Sequence, residues 1–234
     1  MTTKLFNINT LAAATTLAGI IATSGTANAA SLSYTSSIDY DLTDITDAPL
    51  SVQQFDSSLG TLKGVTIGFT GDILGNAGFE NTGKSSTNIT VNLASELSLE
   101  LNNQSLFTLN PQNSFSYKVG QFDNSIDFGG TSGKTVSGLT ATQSGTQSFT
   151  NTQFLQSFIG NSNIDFLFSA TANSVVSGSG NIASYVQTLA KANIKVTYDY
   201  DDVKSIPEPS TTLGVGLIAG LCLLSQRKKS WIKG

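Results

Sequence analysis

Clustered carboxylates are the residues of this chain whose types and spacing could carry chemistry. Asp39 and Asp41 lie near the start of the chain, and Asp199, Asp201 and Asp202 lie near its end. Because chain ends of one domain often neighbour each other, the two segments could pair, and their like charges would then repel. Ca²⁺, which prefers clustered carboxylate oxygens, would relieve that repulsion. More often, such Asp residues form the solvated face of edge strands and oppose aggregation.

The acidic residues also allow a carboxylate-dependent hydrolase. Such an enzyme needs two carboxyl groups that face each other across a cleft, one of them with a raised pKa. The chain has 16 acidic residues, and all but Glu208 lie between residues 31 and 206, so many pairs could be drawn. The sequence does not select one pair, and we predict no catalytic residue.

Composition excludes several function classes. Histidine is absent and the single cysteine is Cys222, which excludes Ser-His-Asp and Cys-His nucleophiles, His-ligated zinc and any intramolecular disulfide. Residues 31–206 contain seven lysines, no arginine and fifteen carboxylates, which gives that segment a net charge of −8. Since such a surface cannot follow a phosphate backbone, nucleic acid is not an expected partner. No cofactor is expected besides the Ca²⁺ considered above.

Apolar and polar residues alternate with a period of two along most of the chain, as in strands that bury one face. We predict strands near 32–42, 65–73, 89–101, 115–119, 164–170 and 182–200, with 89–101 as one long strand or two with a bend. The predicted core comprises Val65, Ile67, Phe69, Val91, Leu93, Leu97, Leu99, Phe166, Phe168, Ile194 and Val196.

Glycine-rich segments at 56–60, 75–78, 129–133 and 177–181 are predicted to be turns between these strands. A short helix is predicted at 152–159 with Thr152 as its N-cap, and a strand-crossing loop held by aromatic residues is the alternative. Many strands joined by glycine-rich turns predict an all-β fold: a jelly-roll-like β-sandwich with at most one short helix.

The C-terminal end combines three features: Pro207-Glu208-Pro209, an apolar run at 211–225, and the basic cluster Arg227, Lys228 and Lys229. Proline fixes φ and lacks a backbone N–H, so the first segment stays extended. The apolar run predicts a transmembrane helix, and the basic cluster would stop translocation on the cytoplasmic side. An ordinary permanent anchor is the alternative, although the run is short against the ~20 residues that a bilayer requires.

This arrangement resembles the PEP-CTERM sorting signal of bacterial exported proteins, with Pro207, Glu208 and Pro209 matching its motif. In that family, a membrane protease-transpeptidase called exosortase reads the signal. The resemblance implies that residues 205–234 form a sorting tail, that exosortase is a partner, and that the helix anchors the protein in the inner membrane only transiently. It also implies cleavage at or near 207–209.

The N-terminal end predicts a secretory signal peptide over residues 1–29. Lys4 precedes an apolar stretch at 11–21, and Ala27-Asn28-Ala29 precedes Ala30, which is the arrangement that signal peptidase cleaves. An N-terminal membrane anchor is the alternative, but the apolar stretch is too short to span a bilayer. The exported domain would therefore comprise residues 30–204.

A second resemblance concerns the start of that domain. The segment Phe55-Asp56-Ser57-Ser58-Leu59-Gly60-Thr61-Leu62, followed by Val65, is similar to the F-D-x-x-L-G-T-L-x-x-V opening of choice-of-anchor E domains. The resemblance implies an all-β body and carries over no catalytic residue.

Together these features predict a non-catalytic protein exported to the cell surface or the extracellular space, where it would act in exopolysaccharide, biofilm or envelope organisation. Polysaccharide or matrix components are its expected partners. One alternative is a carbohydrate-binding module, which would show a solvent-facing row of aromatic residues. Tyr185 could be an outward platform or could pack at the rim. The other alternative is a secreted hydrolase, which would show a deep cleft with two facing carboxylates.

Overall fold

The computed structural model describes residues 16–17, 21–22 and 29–203. The chain divides into two units, Met1–Asp202 and Val203–Gly234, and the described strands belong to the first. The predicted sorting motif, transmembrane helix and basic cluster, and most of the predicted signal peptide, lie outside the described residues. Within the described ranges, no helix is long and apolar enough to cross a membrane.

The described part of the chain is almost entirely β-structure. Its elements, in chain order, are β1 (Thr16–Leu17), β2 (Ile21–Ala22), β3 (Ala29–Leu42), β4 (Ile45–Gln53), a 3₁₀ turn (Ser57–Leu59), β5 (Gly60–Asn81), β6 (Thr87–Leu101), β7 (Gln104–Leu109), β8 (Gln112–Val119), β9 (Gly133–Phe149), α1 (Thr152–Gln156), β10 (Asn163–Ala172), β11 (Val175–Gly178) and β12 (Ile182–Asp202). The prediction of an all-β fold with one short helix is confirmed.

These strands form two antiparallel sheets. The first sheet has the order β1-β3-β12-β5-β9, with β2 also paired to β3, and the second has the order β11-β6-β10-β4, with β7 and β8 also paired to β6. The sheets pack face to face. Phe69 of the first sheet, for example, contacts Phe107 and Phe168 of the second, with ring centroids 5.7 and 6.2 Å apart.

The hydrophobic core lies between the sheets, as the alternation predicts. Every residue of the predicted core is buried, with at most 1% of its surface exposed. From Val65 onward, odd-numbered residues of β5 point inward, as do odd-numbered residues of β6 and even-numbered residues of β12. Small residues make room for large ones across the interface, because a Cβ on Gly71 would overlap the side chain of Leu97.

Three sequence predictions need correction. Strands β1, β2, β4, β7, β9 and β11 were not predicted; the inward-facing positions of β9 include Gln143, Gly145 and Gln147, so it lacks the apolar alternation that indicates a strand. Residues 75–78 are not a turn but lie inside β5. The helix is shorter than predicted, and its N-cap is Asn151 rather than Thr152, since the Asn151 side chain accepts hydrogen bonds from Gln153 N and Phe154 N.

Candidate functional site

The two acidic clusters do not meet. Strands β3 and β12 do pair, as the Ca²⁺ hypothesis requires, but they pair antiparallel, with Asp41 opposite Ala190 and Asp201 opposite Ala29. Asp201 lies eleven residues beyond Ala190 along β12, so the clusters are roughly 36 Å apart at ~3.3 Å per residue. The premise that these Asp residues share one patch is therefore wrong.

Each cluster instead has a lysine on the neighbouring strand. Lys191 Nζ lies 3.5 Å from Asp39 Oδ1, and Lys63 Nζ lies 3.1 Å from Asp201 Oδ2. The Asp39 side chain is 96% exposed and that of Asp201 is 54% exposed, so water screens both pairs and each adds little to stability. Within the described strands β3 and β12, no three Asp or Glu residues could hold a single metal ion.

The predicted cleavage site of the signal peptide lies only partly within the described residues. Ala29 and Ala30 are the first residues of β3, and they pair with Asp201 and Tyr200 at the end of β12. Ala27 lies outside the described residues, as do Pro207, Glu208, Pro209, Arg227, Lys228 and Lys229.

A cleft at one end of the sandwich combines amide groups with an aromatic pair. We call it the amide cleft. It has a volume of about 540 Å³ and is lined by Leu101, Asn102, Gln104, Phe149, Asn151, Gln153, Phe154 and Ser157. The Phe149 and Phe154 rings stack with centroids 4.1 Å apart and planes 23° apart. These eight residues include no ionisable side chain, so the cleft offers neutral hydrogen-bonding groups beside an apolar surface.

Three elements build the amide cleft. The β6–β7 turn supplies Asn102, whose φ of 52° suits asparagine in a tight hairpin. The end of β9 supplies Phe149, and α1 with its cap supplies Asn151 and Gln153. These residues are scattered through the sequence without a shared motif, so sequence reasoning missed the cleft.

The α1 segment is held in place by the core beneath it. Gln54 Nε2 donates to Ser157 O at 2.9 Å, and Phe55 N donates to Phe158 O at 2.7 Å. The buried Phe158 ring contacts Tyr198, whose centroid is 6.2 Å away. The Tyr198 hydroxyl donates to Gln53 O at 2.8 Å. The pKa of Tyr198 is raised far above its usual value, mainly because the ring is buried and secondly because of its electrostatic interaction with Tyr34. The α1 segment therefore packs on an aromatic cluster, which its Phe154 joins through Phe158.

Comparisons with known proteins do not assign the chain to a family. No protein-family model matches the sequence, and no curated protein matches it. Among solved structures, the chain is similar to "Structure of infectious bursal disease virus Gx strain", with 14% identity, a TM-score of 0.15, and coverage of 85% of this chain and 51% of that one. It is also similar to "Crystal structure of the T13 IBDV viral particle reveals a missing link in icosahedral viruses evolution", with 11% identity, a TM-score of 0.17, and coverage of 79% and 41%.

The exposed aromatic residues of the described sandwich do not form the row that a flat sugar-binding face would present. Tyr185 is 46% exposed and Tyr40 is 41% exposed. Tyr40 lies beside Lys191, six residues along β12 from Tyr185, or roughly 20 Å away. Tyr185 points outward and packs edge to face on Phe128, with ring centroids 5.1 Å apart. The amide cleft is thus a better candidate for ligand contact than the sheet faces.

A second cleft lies at the opposite end of β12 from Asp201. It is lined by Leu42, Thr43, Asp44, Ala172, Ser174, Val186, Gln187 and Thr188. Its single carboxylate, that of Asp44, accepts a hydrogen bond from Ala172 N at 3.1 Å. Neither this cleft nor the amide cleft presents, among its described lining residues, the two facing carboxylates that a glycoside hydrolase uses.

Proposed function

We propose that the chain is a non-catalytic exported protein of the cell surface or extracellular matrix, and that its sandwich binds neutral polysaccharide in the amide cleft. In this proposal the protein acts in exopolysaccharide, biofilm or envelope organisation, and it does so by binding carbohydrate. The observation that carries it is the lining of the cleft: Asn and Gln side chains beside the stacked Phe149–Phe154 pair. Amide groups form hydrogen bonds with sugar hydroxyls, and an aromatic ring packs against the C–H face of a sugar.

The strand order supports the finer fold prediction, a jelly roll. Strands β3, β12, β5 and β9 share one sheet, while β4, β10, β6 and the consecutive β7 and β8 share the other. Along the chain, each long strand is followed by one in the opposite sheet, except that β6 is followed by β7 and β8 beside it, and that the short β11 comes between β10 and β12. Two interlocked Greek keys of this kind make a jelly roll, an architecture that also occurs in lectins.

Export and sorting rest on the two ends of the sequence. Signal peptidase would cut after Ala29, the apolar run would hold the protein in the inner membrane, and exosortase would then process the tail at Pro207-Glu208-Pro209. The test is mass spectrometry of the surface protein. We expect the C-terminal end to lie near residue 207, and Glu208→Gln to leave unprocessed protein in the membrane. Surface protein that still contains Cys222 and Arg227 would contradict this proposal.

Sugar binding is tested by affinity electrophoresis of the protein in gels that contain a soluble neutral glucan or xylan. We expect retarded migration in at least one of these polysaccharides, and a dissociation constant at least fivefold weaker in the double variant Gln104→Ala, Gln153→Ala. The matched control is Gln187→Ala in the second cleft, which should bind like the wild type. Unretarded wild-type protein in every gel, or equal retardation of the cleft variant, would refute binding in the amide cleft.

A further inference from the structure

The loop between β8 and β9, residues 120–132, covers the outer face of the first sheet at one end; we call it the cover loop. Its Gly120 N donates to Thr131 O at 2.7 Å, and Asn81 N at the end of β5 donates to Ser132 O at 2.9 Å. Its Phe128 ring packs on Tyr185, a residue on the outer face of β12. The cover loop therefore packs on part of the outer face at this end of the sheet.

Glu80 is the residue that this packing affects most. Its place in β5, next to the inward-facing Phe79, puts its side chain on the outer face, yet none of its surface is exposed. Neither of its carboxylate oxygens has a hydrogen-bond partner among the described residues. A buried carboxylate without a partner destabilises the fold if it remains charged, so a bound ion or water is expected to satisfy it.

The carboxylate of Glu80 points into the cover loop. A Cβ on Gly133, its partner on β9, would overlap Glu80 Oε2 and would lie 2.6 Å from Gly129 N. Only glycine fits at position 133 for that reason. Gly129 N in turn donates to Asp127 Oδ1 at 2.9 Å. The carboxylates of Glu80 and Asp127 therefore approach the same peptide group, from the sheet and from the loop.

No lysine of the described ranges neutralises this pair. The ion pairs among the described residues join Lys63 to Asp201 and Lys191 to Asp39. Lys134 follows Gly133 in sequence, but its Nζ lies over the Tyr117 ring at 5.0 Å from the centroid. That ring packs on Phe79, which points to the opposite face of the sheet from Glu80.

We propose that Ca²⁺ binds between the cover loop and β5, with the carboxylates of Glu80 and Asp127 as its charged ligands. Carboxylate and carbonyl oxygens are the donors that a hard cation prefers, and Ca²⁺ tolerates an irregular shell completed by backbone carbonyls or water better than Mg²⁺ does. This site is distinct from the acidic clusters of β3 and β12. Its existence does not depend on sugar binding or on the fate of the tail.

Asp123 has a separate role in the cover loop. Its carboxylate accepts hydrogen bonds from Ser125 N at 3.1 Å and Thr131 N at 3.4 Å. The bond from Ser125 N is the main reason that the pKa of Asp123 is lowered. Because its oxygens already hold the backbone of the loop, Asp123 shapes the loop and is not counted among the ligands.

The first test is thermal melting of the full-length chain, stripped with EGTA and then titrated with CaCl₂ or MgCl₂. Ligand binding to the folded form alone should raise Tm by about 5–10 °C at a hundredfold excess of Ca²⁺ over Kd, with a smaller rise for Mg²⁺ at the same concentration. Glu80→Gln should abolish the rise, and Asp127→Asn should weaken Ca²⁺ binding at least tenfold. The matched controls Asp201→Asn and Glu96→Gln should respond like the wild type.

The second test locates the ion without relying on stability. Tb³⁺ occupies Ca²⁺ sites and luminesces when a nearby tyrosine transfers energy to it, and Tyr185 is in contact with the cover loop. We expect tyrosine-sensitised Tb³⁺ emission that Ca²⁺ competes away, that falls severalfold in Tyr185→Phe, and that is lost in Asp127→Asn. The proposal is overturned if wild-type melting ignores Ca²⁺ and EGTA, if Glu80→Gln keeps the full response, or if Asp127→Asn keeps the full Tb³⁺ emission.

Discussion

The inner and outer faces of the first sheet treat polar groups in different ways. On the inner face, Phe69, Ile73 and Ile194 are buried against the second sheet, each with at most 1% exposure. On the outer face, hydroxyl groups form a ladder across β5 and β9: Thr66 with Ser148 at 2.9 Å, and Thr70 with Ser144 at 2.9 Å. At one end of that outer face, Glu80 is as buried as the core.

The same contrast applies to carboxylates, because their exposure and their partners depend on the surrounding structure and not on residue type. Asp201 and Glu80 both point outward from the first sheet. Asp201 is half exposed and paired with Lys63, which is the ordinary fate of a surface acid. Glu80 lies under a loop that is at least forty residues away in sequence, and its oxygens have no hydrogen-bond partner in the described part of the chain. Of these two carboxylates, only that of Glu80 is a candidate Ca²⁺ ligand.

The largest expected effect contrasts the inner and outer sides of β6. Leu97 is fully buried while its neighbour Glu96 is exposed. We expect Leu97→Ala to lower the free energy of unfolding by ~2–5 kcal/mol, through lost burial and the cavity that remains, and Glu96→Ala to change it by less than about 0.5 kcal/mol. Urea unfolding of both variants measures this, and equal losses would mean that the register of β6 is wrong.

The next effect contrasts the two outer-face carboxylates. In EGTA at neutral pH, Glu80→Gln should raise the free energy of unfolding by about 1–3 kcal/mol, because it removes a buried charge that has no partner. Asp201→Asn should cause no measurable change, since its ion pair is solvated. Denaturation in EGTA measures both variants. A destabilised Glu80→Gln protein would show that the carboxylate has a protein partner.

A smaller effect concerns the inner-face tyrosine under α1. The pKa of Tyr198 is raised in the folded protein, so its contribution to stability is complete below pH 10, the unfolded value, and is lost as the pH rises above it. We expect the free energy of unfolding to fall by up to about 1.4 kcal/mol per pH unit above pH 10. Tyr198→Phe should flatten that fall, although burial also raises the pKa of Tyr34.

The control for that prediction is Tyr185→Phe on the outer face, which should retain the wild-type loss at alkaline pH. Tyr198→Phe should also cost about 0.5–1.5 kcal/mol at pH 7, because Gln53 O loses its hydrogen bond. Alkaline unfolding curves that are identical for Tyr198→Phe and the wild type would assign the effect to other groups.

The smallest effect belongs to the hydroxyl ladder of the outer face. A double-mutant cycle of Thr70→Ala and Ser144→Ala should give a coupling energy of about 0.2–1 kcal/mol, as for cross-strand pairs on an exposed sheet surface. Denaturant unfolding of the two single variants and the double variant measures it. Strictly additive losses would show that the ladder adds nothing to pairing between β5 and β9.

The sequence predicted most of the inner face and little of the outer one. The six predicted strands all exist, because their apolar residues alternate and each buries one side between two sheets. Strand β9 escaped prediction because Gln143, Gly145 and Gln147 interrupt the apolar residues of its inward face. Asn151 escaped notice as the helix cap because Thr152, the next residue, is also a good capping type.

What the sequence determined by itself was local: the alternation that defines the core, turns within two of the glycine-rich segments at residues 129–132 and 179–181, and the composition that excludes histidine chemistry. Tertiary structure alone decided which distant residues meet. The antiparallel pairing of β3 and β12 separated two acidic clusters that proximity of the chain ends would have joined. The cover loop buries Glu80, although the alternating pattern of β5 places this residue on the solvent-facing side. Solvent exposure depends on contacts between distant segments, and no local sequence pattern records those contacts.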